Sequence, residues 1–248
     1  MATYPLARGV YFIGSVKVMP RYLTDRKERT IAKYGLFRRT EAVVQQFRRF
    51  SLPEPCIMLD IGTADGLMLR NLIASCGVDR CIGIGVDMRL AYLKSAKQNV
   101  RRAVQADGRW LPLCARSVDV IFSTAVFKHV KGLDSLLVEC RRVLKPGGIL
   151  IATDPTPLGI RLGILLGHFS RRSIVQVLNL QDTHQLLTRC GFKVLHSERF
   201  MLSPIPFTGS DTLERALKGT LLDQVFFGQV ICAESPRQNL ALRPRCRE

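Results

Sequence analysis

The amino-acid sequence predicts an α/β fold, a mostly parallel sheet with helices on both faces, and three observations lead there. From residue 56 onward, short apolar runs of strand length alternate with segments whose apolar residues recur at helical spacing. Two of these runs end in an acid, Asp60 and Asp87, and the first passes directly into a turn of small residues, Gly62-Thr-Ala-Asp-Gly66. The chain has 248 residues, 47% of them hydrophobic, with no internal repeat, which suits one sizeable core.

The elements follow in order. Asp25 and Glu28 form a capping pair for a helix over 24–50, with Ile31, Tyr34, Val43, Val44 and Phe47 apolar and Gly35 a point of kinking or division. Ser51-Leu-Pro-Glu-Pro55 breaks that helix. Ile57-Met-Leu59 reads as a buried strand and Leu67–Cys76 as a helix. Cys81–Asp87 is the second strand, Arg89–Val100 a helix, Ala103–Asp107 a short third strand and Val118–Val126 the fourth. A helix over Leu133–Leu144 leads into a fifth strand, Gly147–Asp154. Residues 155–180 exceed a simple connection and mix Leu158, Ile160, Leu162, Ile164, Leu165 and Phe169 with Arg161, Arg171 and Arg172. A helix over Thr183–Cys190, a strand over Phe192–Phe200, a loop with Pro204 and Pro206, a helix over Asp211–Lys218 and a last strand over Gln224–Ala233 complete the series.

Charge and cysteine usage bound the surroundings. The formal net charge is +17, with eleven Lys/Arg against three acids in residues 1–50 and four Arg against one Glu in the last twelve. Such a field favours polyanions or an anionic membrane surface, or is simply a basic solvated exterior. The eight cysteines form no Cys-x-x-Cys pair and several lie in apolar runs, which suits buried thiols in a reducing compartment rather than disulfides or a zinc site. No run reaches the roughly 18–20 apolar residues of a membrane-spanning helix. The apolar patch over residues 9–16 is bracketed by Arg8 and Lys17, with no small-residue cleavage site after it. The acid-free residues 1–23 permit an organelle transit peptide, but the reading taken is cytoplasmic, with a peripheral membrane contact open.

The turn at Gly62–Gly66 sets backbone N–H groups and a helix N-terminus at a crevice mouth, where a nucleotide-like ligand approaches the backbone. Asp87, closing the second strand, is placed to accept from ribose hydroxyls. A nicotinamide dinucleotide and S-adenosylmethionine both fit these two features. Asp107-Gly108 with Leu111-Pro112, Val118-Asp-Val-Ile-Phe-Ser123, Val126-Phe-Lys-His-Val130 and Arg142-Val-Leu-Lys-Pro-Gly-Gly148 follow in order. With Leu59-Asp-Ile-Gly-Thr-Ala-Asp-Gly66 and Gly85-Val-Asp87, this series resembles the class I S-adenosylmethionine-dependent methyltransferases, in particular the branch acting on small molecules and lipids. The resemblance spans residues 56–155 and, more loosely, extends to 233. It implies a Rossmann-like seven-stranded, mostly parallel sheet with an antiparallel last strand.

By that resemblance Asp60, Gly62, Thr63, Ala64 and Gly66 shape the pocket for the methionine part of S-adenosylmethionine. Asp87 meets the ribose, Asp107 the adenine amine, Met88 and Gly108 flank the ring, and Ser123 closes the pocket near the sulfonium. The chain departs from the family pattern at Ala64, where a glycine is usual, and at Lys128, where an acid often precedes the histidine. Methyl transfer from a sulfonium is an in-line displacement that relies on positioning and needs no metal. A base is required only when the acceptor must lose a proton. The candidates are His129 and Asp154, with His168 and His184 in the variable region; for each, a structural or surface role is the alternative.

Three acceptor readings remain open at this stage. RNA suits the charge, but no Asn/Asp-Pro-Pro-aromatic segment follows the fourth strand, where Ser123-Thr-Ala-Val126 stands, and no appended RNA-binding module is present. A small hydrophobic or lipid-like acceptor suits the mixed apolar and basic character of the front segment and of residues 155–182. A non-catalytic binding domain of the same fold is the third. The organisation expected is a basic helical segment over 1–51, the main domain over 52–234 with a substrate-wall insertion at 155–182, and a basic tail over 235–248.

Overall fold

In the computed structural model, residues 30–76, 81–205 and 207–237 are described. Seven strands form one sheet: β1 (Cys56–Ile61), β2 (Cys81–Asp87), β3 (Ala103–Gln105), β4 (Val118–Thr124), β5 (Leu144–Pro155), β6 (Lys193–Phe200) and β7 (Gly228–Glu234). Their spatial order is β3-β2-β1-β4-β5-β7-β6. The first five strands pair in parallel, and β7 runs antiparallel to both its neighbours, as the resemblance implies. The helices are α1 (Thr30–Phe47), α2 (Leu67–Cys76), α3 (Leu90–Ala96), α4 (Leu133–Val143), α5 (Pro157–Leu165), α6 (Leu180–Arg189) and α7 (Ser210–Leu217).

Alternate residues along each strand feed two cores. Leu59, Ile61, Ile121 and Leu150 join Leu137 of α4 and Leu187 of α6 on one face. Met58, Phe122 and Ile151 join Val43 of α1, Leu69 and Leu72 of α2 and Leu93 of α3 on the other. This double coverage explains why the central strands read as unbroken apolar runs. Asp119 is buried at the start of β4, where its carboxylate accepts from the Ile57 amide at 2.9 Å and from Lys145 Nζ at 2.8 Å.

The structure corrects several boundaries. α1 is continuous through Gly35, and the capping pair Asp25 and Glu28 lies outside the described residues. α3 is shorter than Arg89–Val100, and α6 begins at Leu180 because Asn179 and Asp182 form a reciprocal capping box there. Residues 155–180, too long for a simple connection, contain the helix α5, which no apolar spacing in the sequence announces. Thr156 caps α5 by accepting from the Gly159 amide, and Pro157 occupies its first turn, where a missing N–H costs nothing. The last strand starts at Gly228 rather than Gln224, because Leu221–Val225 coil into a single 3-10 turn.

The topology fixes one edge as the working edge. Pro155 and Phe200, the last residues of β5 and β6, both pair with Gly228, the first of β7. Segments 156–179 and 201–227 therefore leave from the same edge as the loops that follow β1 to β4. Over this edge α1 is tied to α7 by a buried ion pair, Arg38 to Glu214 at 2.8 Å, and Glu214 also accepts from the Leu202 amide.

Candidate active site

The loop after β1 is held by β2. The amides of Gly62 and Thr63 donate to Val86 O at 2.8 and 3.0 Å, and the Ala64 amide donates to Asp87 Oδ2 at 3.0 Å. Asn99 holds the other side by donating to Asp65 O, and Asp65 accepts from the Leu67 amide at the start of α2. Gly62 has φ +75°, and a Cβ there would lie 2.4 Å from a Val126 methyl. A Gly62→Ala variant is expected to lose about 1–3 kcal/mol, from the left-handed backbone and the clash together. Adding Val126→Ala should recover the steric part alone, as thermal unfolding of the single and double variants would report.

Two further residues at the mouth adopt the left-handed conformation although neither is glycine: Ala64 at φ 50° and Ala125 at φ 60°. One sits in the β1 loop and the other directly after β4, where its amide donates to Thr153 O. Backbone strain of this kind gathers at ligand sites. Alanine gives no signal for it in sequence.

Asp60, Asp87 and Asp107 all reach this edge of the sheet. Asp60 is wholly buried in β1. Asp87 accepts from the Ala64 and Arg89 amides, and its burial raises the carboxyl above the ordinary value while those amides oppose the rise. Beside it Met88 is 62% exposed, its carbonyl held by the Gln105 amide group. Asp107 is gripped by Arg109, whose Nε and terminal nitrogen donate to both carboxylate oxygens at 2.6–3.1 Å. That fork holds the Asp107 carboxyl below its ordinary value, against the opposing effect of burial. Sequence reasoning missed Arg109, although an arginine two residues beyond an acid in a tight turn is a usable signal. Gly108 allows the turn to close on β1, since a Cβ would lie 3.0 Å from Leu136 and 3.1 Å from Ile61. Glu139 and Arg142 of α4 grip the backbone of Leu111 and Leu113, which gives Arg142 and the Leu111-Pro112 step of the sequence motif a structural purpose.

Ser123 pairs in register with Ile61, next to the loop. Its hydroxyl and that of Thr63 are buried with no hydrogen-bond partner among the described residues. Buried hydroxyls seldom remain so, and a ligand's polar atoms are one way to satisfy them. The segment after β4 is pinned from β5. Asp154 Oδ2 accepts from the Phe127 amide at 3.1 Å, and Asp154 Oδ1 lies 3.5 Å from Lys128 Nζ, which also donates to Ala125 O. Burial pushes the Lys128 ammonium down to about 8, Asp154 opposing, and burial likewise raises Asp154, Lys128 opposing. Lys128 lies against the Phe169 ring at 5.6 Å.

These contacts commit Asp154 to positioning the 125–130 segment. His129 follows on the same turn, its Nδ1 against Ser173 O, with its pKa lowered to about 4 by burial and by Lys128. In the neutral ring Nδ1–H donates to that carbonyl and leaves Nε2 as a weak acceptor. His184 is exposed on α6, and His168 lies in the turn after α5. A cavity between β5, β7, α5 and the start of α6 is lined by Lys128, Asp154 and Gln229 with apolar Phe127, Ile160 and Leu178. No group of three or more metal-ligating side chains occurs among the described residues.

The edge thus gathers, from the adjacent strands β2, β1 and β4, a loop of small residues, an acid at the end of β2, an exposed apolar side chain beside it and, at its floor, hydroxyls without a partner among the described residues. An ionised carboxylate has about four acceptor sites, so Asp87 keeps capacity for ribose hydroxyls beyond its amide contacts. The set fits a nucleoside carrying an amino-acid chain, which is the shape of S-adenosylmethionine.

Comparison with known proteins agrees. Residues 59–152 match the model of the methyltransferase domain family. The chain is 29% identical over 153 residues to malonyl-[acyl-carrier protein] O-methyltransferase 1 of Coxiella burnetii, covering 60% of this chain and 51% of that protein. It is 30% identical over 190 residues to a probable S-adenosylmethionine-dependent methyltransferase of Mycolicibacterium smegmatis, covering 71% of this chain and 68% of that one. The chain therefore spans about half the length of the first relative and two thirds of the second. A SAM-dependent methyltransferase of Thermotoga maritima superposes with a TM-score of 0.64 at 16% identity, covering 87% of this chain and 96% of that one, and shares the fold.

Proposed function

Because the chain belongs to the class I S-adenosylmethionine-dependent methyltransferases, we propose that it transfers a methyl group from S-adenosylmethionine to a small acceptor with an apolar, lipid-like body. The observation that carries this reading is the convergence of the Gly62–Gly66 loop, Asp87, Asp107 and Ser123 on one sheet edge. The group bound there would supply a sulfonium methyl to an acceptor lone pair, with S-adenosylhomocysteine as the leaving group. The protein's part in such a displacement is positioning and exclusion of water. Asp60 and the closely approaching backbone of the loop would shape the methionine side, since the Gly62, Thr63, Ala64 and Gly66 amides already donate within the protein. Asp87 would meet the ribose and Met88 one face of the adenine. Asp107 would reach the adenine amine only by sharing its carboxylate with Arg109.

The acceptor would enter over α1, α5 and the segment after β4. His129 Nε2 is the group here that could take a proton, and its lowered pKa makes it a weak base. The reading therefore favours an acceptor that is already nucleophilic, such as a carboxylate or a neutral amine, over an unactivated hydroxyl. Titration calorimetry with S-adenosylhomocysteine tests the donor part, with saturable one-to-one binding expected and absence of binding fatal to it. Labelled methyl transfer into lipid, RNA, protein and small-molecule fractions of a cell extract tests the acceptor part, with label expected in an organic-soluble or small-molecule fraction.

A further inference from the structure

Most of the large apolar side chains left exposed among the described residues lie in segments 156–179 and 201–227 at the working edge. Leu165, Leu166, Val175, Phe207, Leu221 and Leu222 are each between 44% and 89% exposed. They belong to two segments that are physically joined. The Thr156 amide and hydroxyl donate to Phe227 O and Phe226 O at 2.9 and 2.6 Å, so α5 rises from the residues that follow the Leu221–Val225 turn. On α5, Gly159, Ile160 and Gly163 are buried, which leaves Leu158, Leu162, Leu165 and Leu166 along the opposite side at helical spacing. Arg161, Arg171 and Arg172 are exposed among them, and residues 155–181 contain no acid.

We infer that this rim docks on an anionic lipid bilayer. Leucines at the level of the headgroups bury apolar surface while the interleaved guanidiniums meet lipid phosphates, the arrangement of an interfacial helix. An arginine held near an anionic surface adds about fivefold in partitioning, so these three add about a hundredfold at low salt. The overall charge of +17 acts in the same direction. The acid-free, leucine-rich segment 155–181 matches a sheet of anionic headgroups, while the neighbouring segment 201–227 brings apolar side chains together with Asp211, Glu214 and Asp223. The edge that docks is the edge on which the donor cleft opens. The inference rests on the reading above only for what is methylated; docking itself needs no donor.

The test is co-sedimentation of the full chain with vesicles of phosphatidylcholine alone and of equimolar phosphatidylcholine and phosphatidylglycerol. Binding to the mixed vesicles but not to phosphatidylcholine is expected, weakening as salt is raised. The pairs Leu165→Glu/Leu166→Glu and Arg171→Glu/Arg172→Glu should each lower partitioning at least tenfold, with unfolding temperature and S-adenosylhomocysteine affinity unchanged. The inference is overturned if the wild-type chain stays in solution, or if neither pair weakens sedimentation. It is equally overturned if the face proves to hold a second copy, seen as a dimer that Leu165→Glu/Leu166→Glu disperses without any vesicle binding, or if the same substitutions abolish RNA binding instead. Vesicle binding without S-adenosylhomocysteine binding would leave the docking intact and remove the methyl-transfer reading; the reverse pattern would do the opposite.

Discussion

Replacing Asp87 by alanine is expected to weaken S-adenosylhomocysteine binding about a hundredfold. Hydrogen bonds to a charged partner contribute roughly 1.5–3 kcal/mol each, and under the proposed binding mode the carboxylate would accept from two ribose hydroxyls, which at the low end of that range gives about a hundredfold. The same substitution also releases the Ala64 amide, which donates to Asp87 at 3.0 Å and holds the loop in its left-handed turn. Asp87→Asn separates the two effects. It keeps one acceptor oxygen for the Ala64 amide but loses the charge and the second oxygen, which accepts from the Arg89 amide, so about a tenfold loss is expected with a smaller fall in unfolding temperature than in Asp87→Ala. Calorimetry on both variants checks this, and affinities within twofold of wild type would remove Asp87 from the site.

The second large effect concerns stability. Lys128→Ala should cost about 3–5 kcal/mol, because it leaves the Asp154 carboxylate buried without its cation. The side chains of the pair are 3% and 11% exposed, so solvent gives little relief. Lys128→Met combined with Asp154→Asn should recover most of the loss, since an amide oxygen can still accept from the Phe127 amide. Denaturant unfolding of the set provides the measurement, and a single variant within about 1 kcal/mol of wild type would contradict the account. The sign of the pH dependence follows from the Lys128 pKa of about 8 against 10.5 for an unperturbed lysine. Between those values the unfolded chain holds more protons than the folded one. The cost of the buried ammonium is thus complete below about pH 8 and fades as pH rises toward 10.5. Relative to Lys128→Met, the wild-type chain should gain stability across that window.

The central strands were legible because burial on both faces writes itself as an apolar run, and the acids closing β1 and β2 mark the edge where the chain leaves the sheet. The helix α5 was less legible. Its nine residues are nearly all apolar or glycine, so they carry no amphipathic alternation, and only Thr156-Pro157 signals its start. The resemblance singled out Asp60, the glycine loop, Asp87, Asp107 and Ser123 as donor contacts, and the structure brings these residues to one edge of the sheet. The sequence did not reveal Arg109 closing on Asp107, which depends on a side chain folding back over its own turn. Nor did it reveal that Lys128 and Asp154, 26 residues apart, meet. That contact follows from β4 and β5 being neighbours in register, with Thr124 opposite Thr153.

Amide hydrogen exchange with and without S-adenosylhomocysteine tests the location of the donor site most directly. Slowed exchange is predicted at residues 62–66, 87–89, 107–109 and 123–126, the four segments that meet at the working edge, with the remainder of the sheet unchanged. Protection confined to other parts of the chain, or none at saturating ligand, would contradict the account.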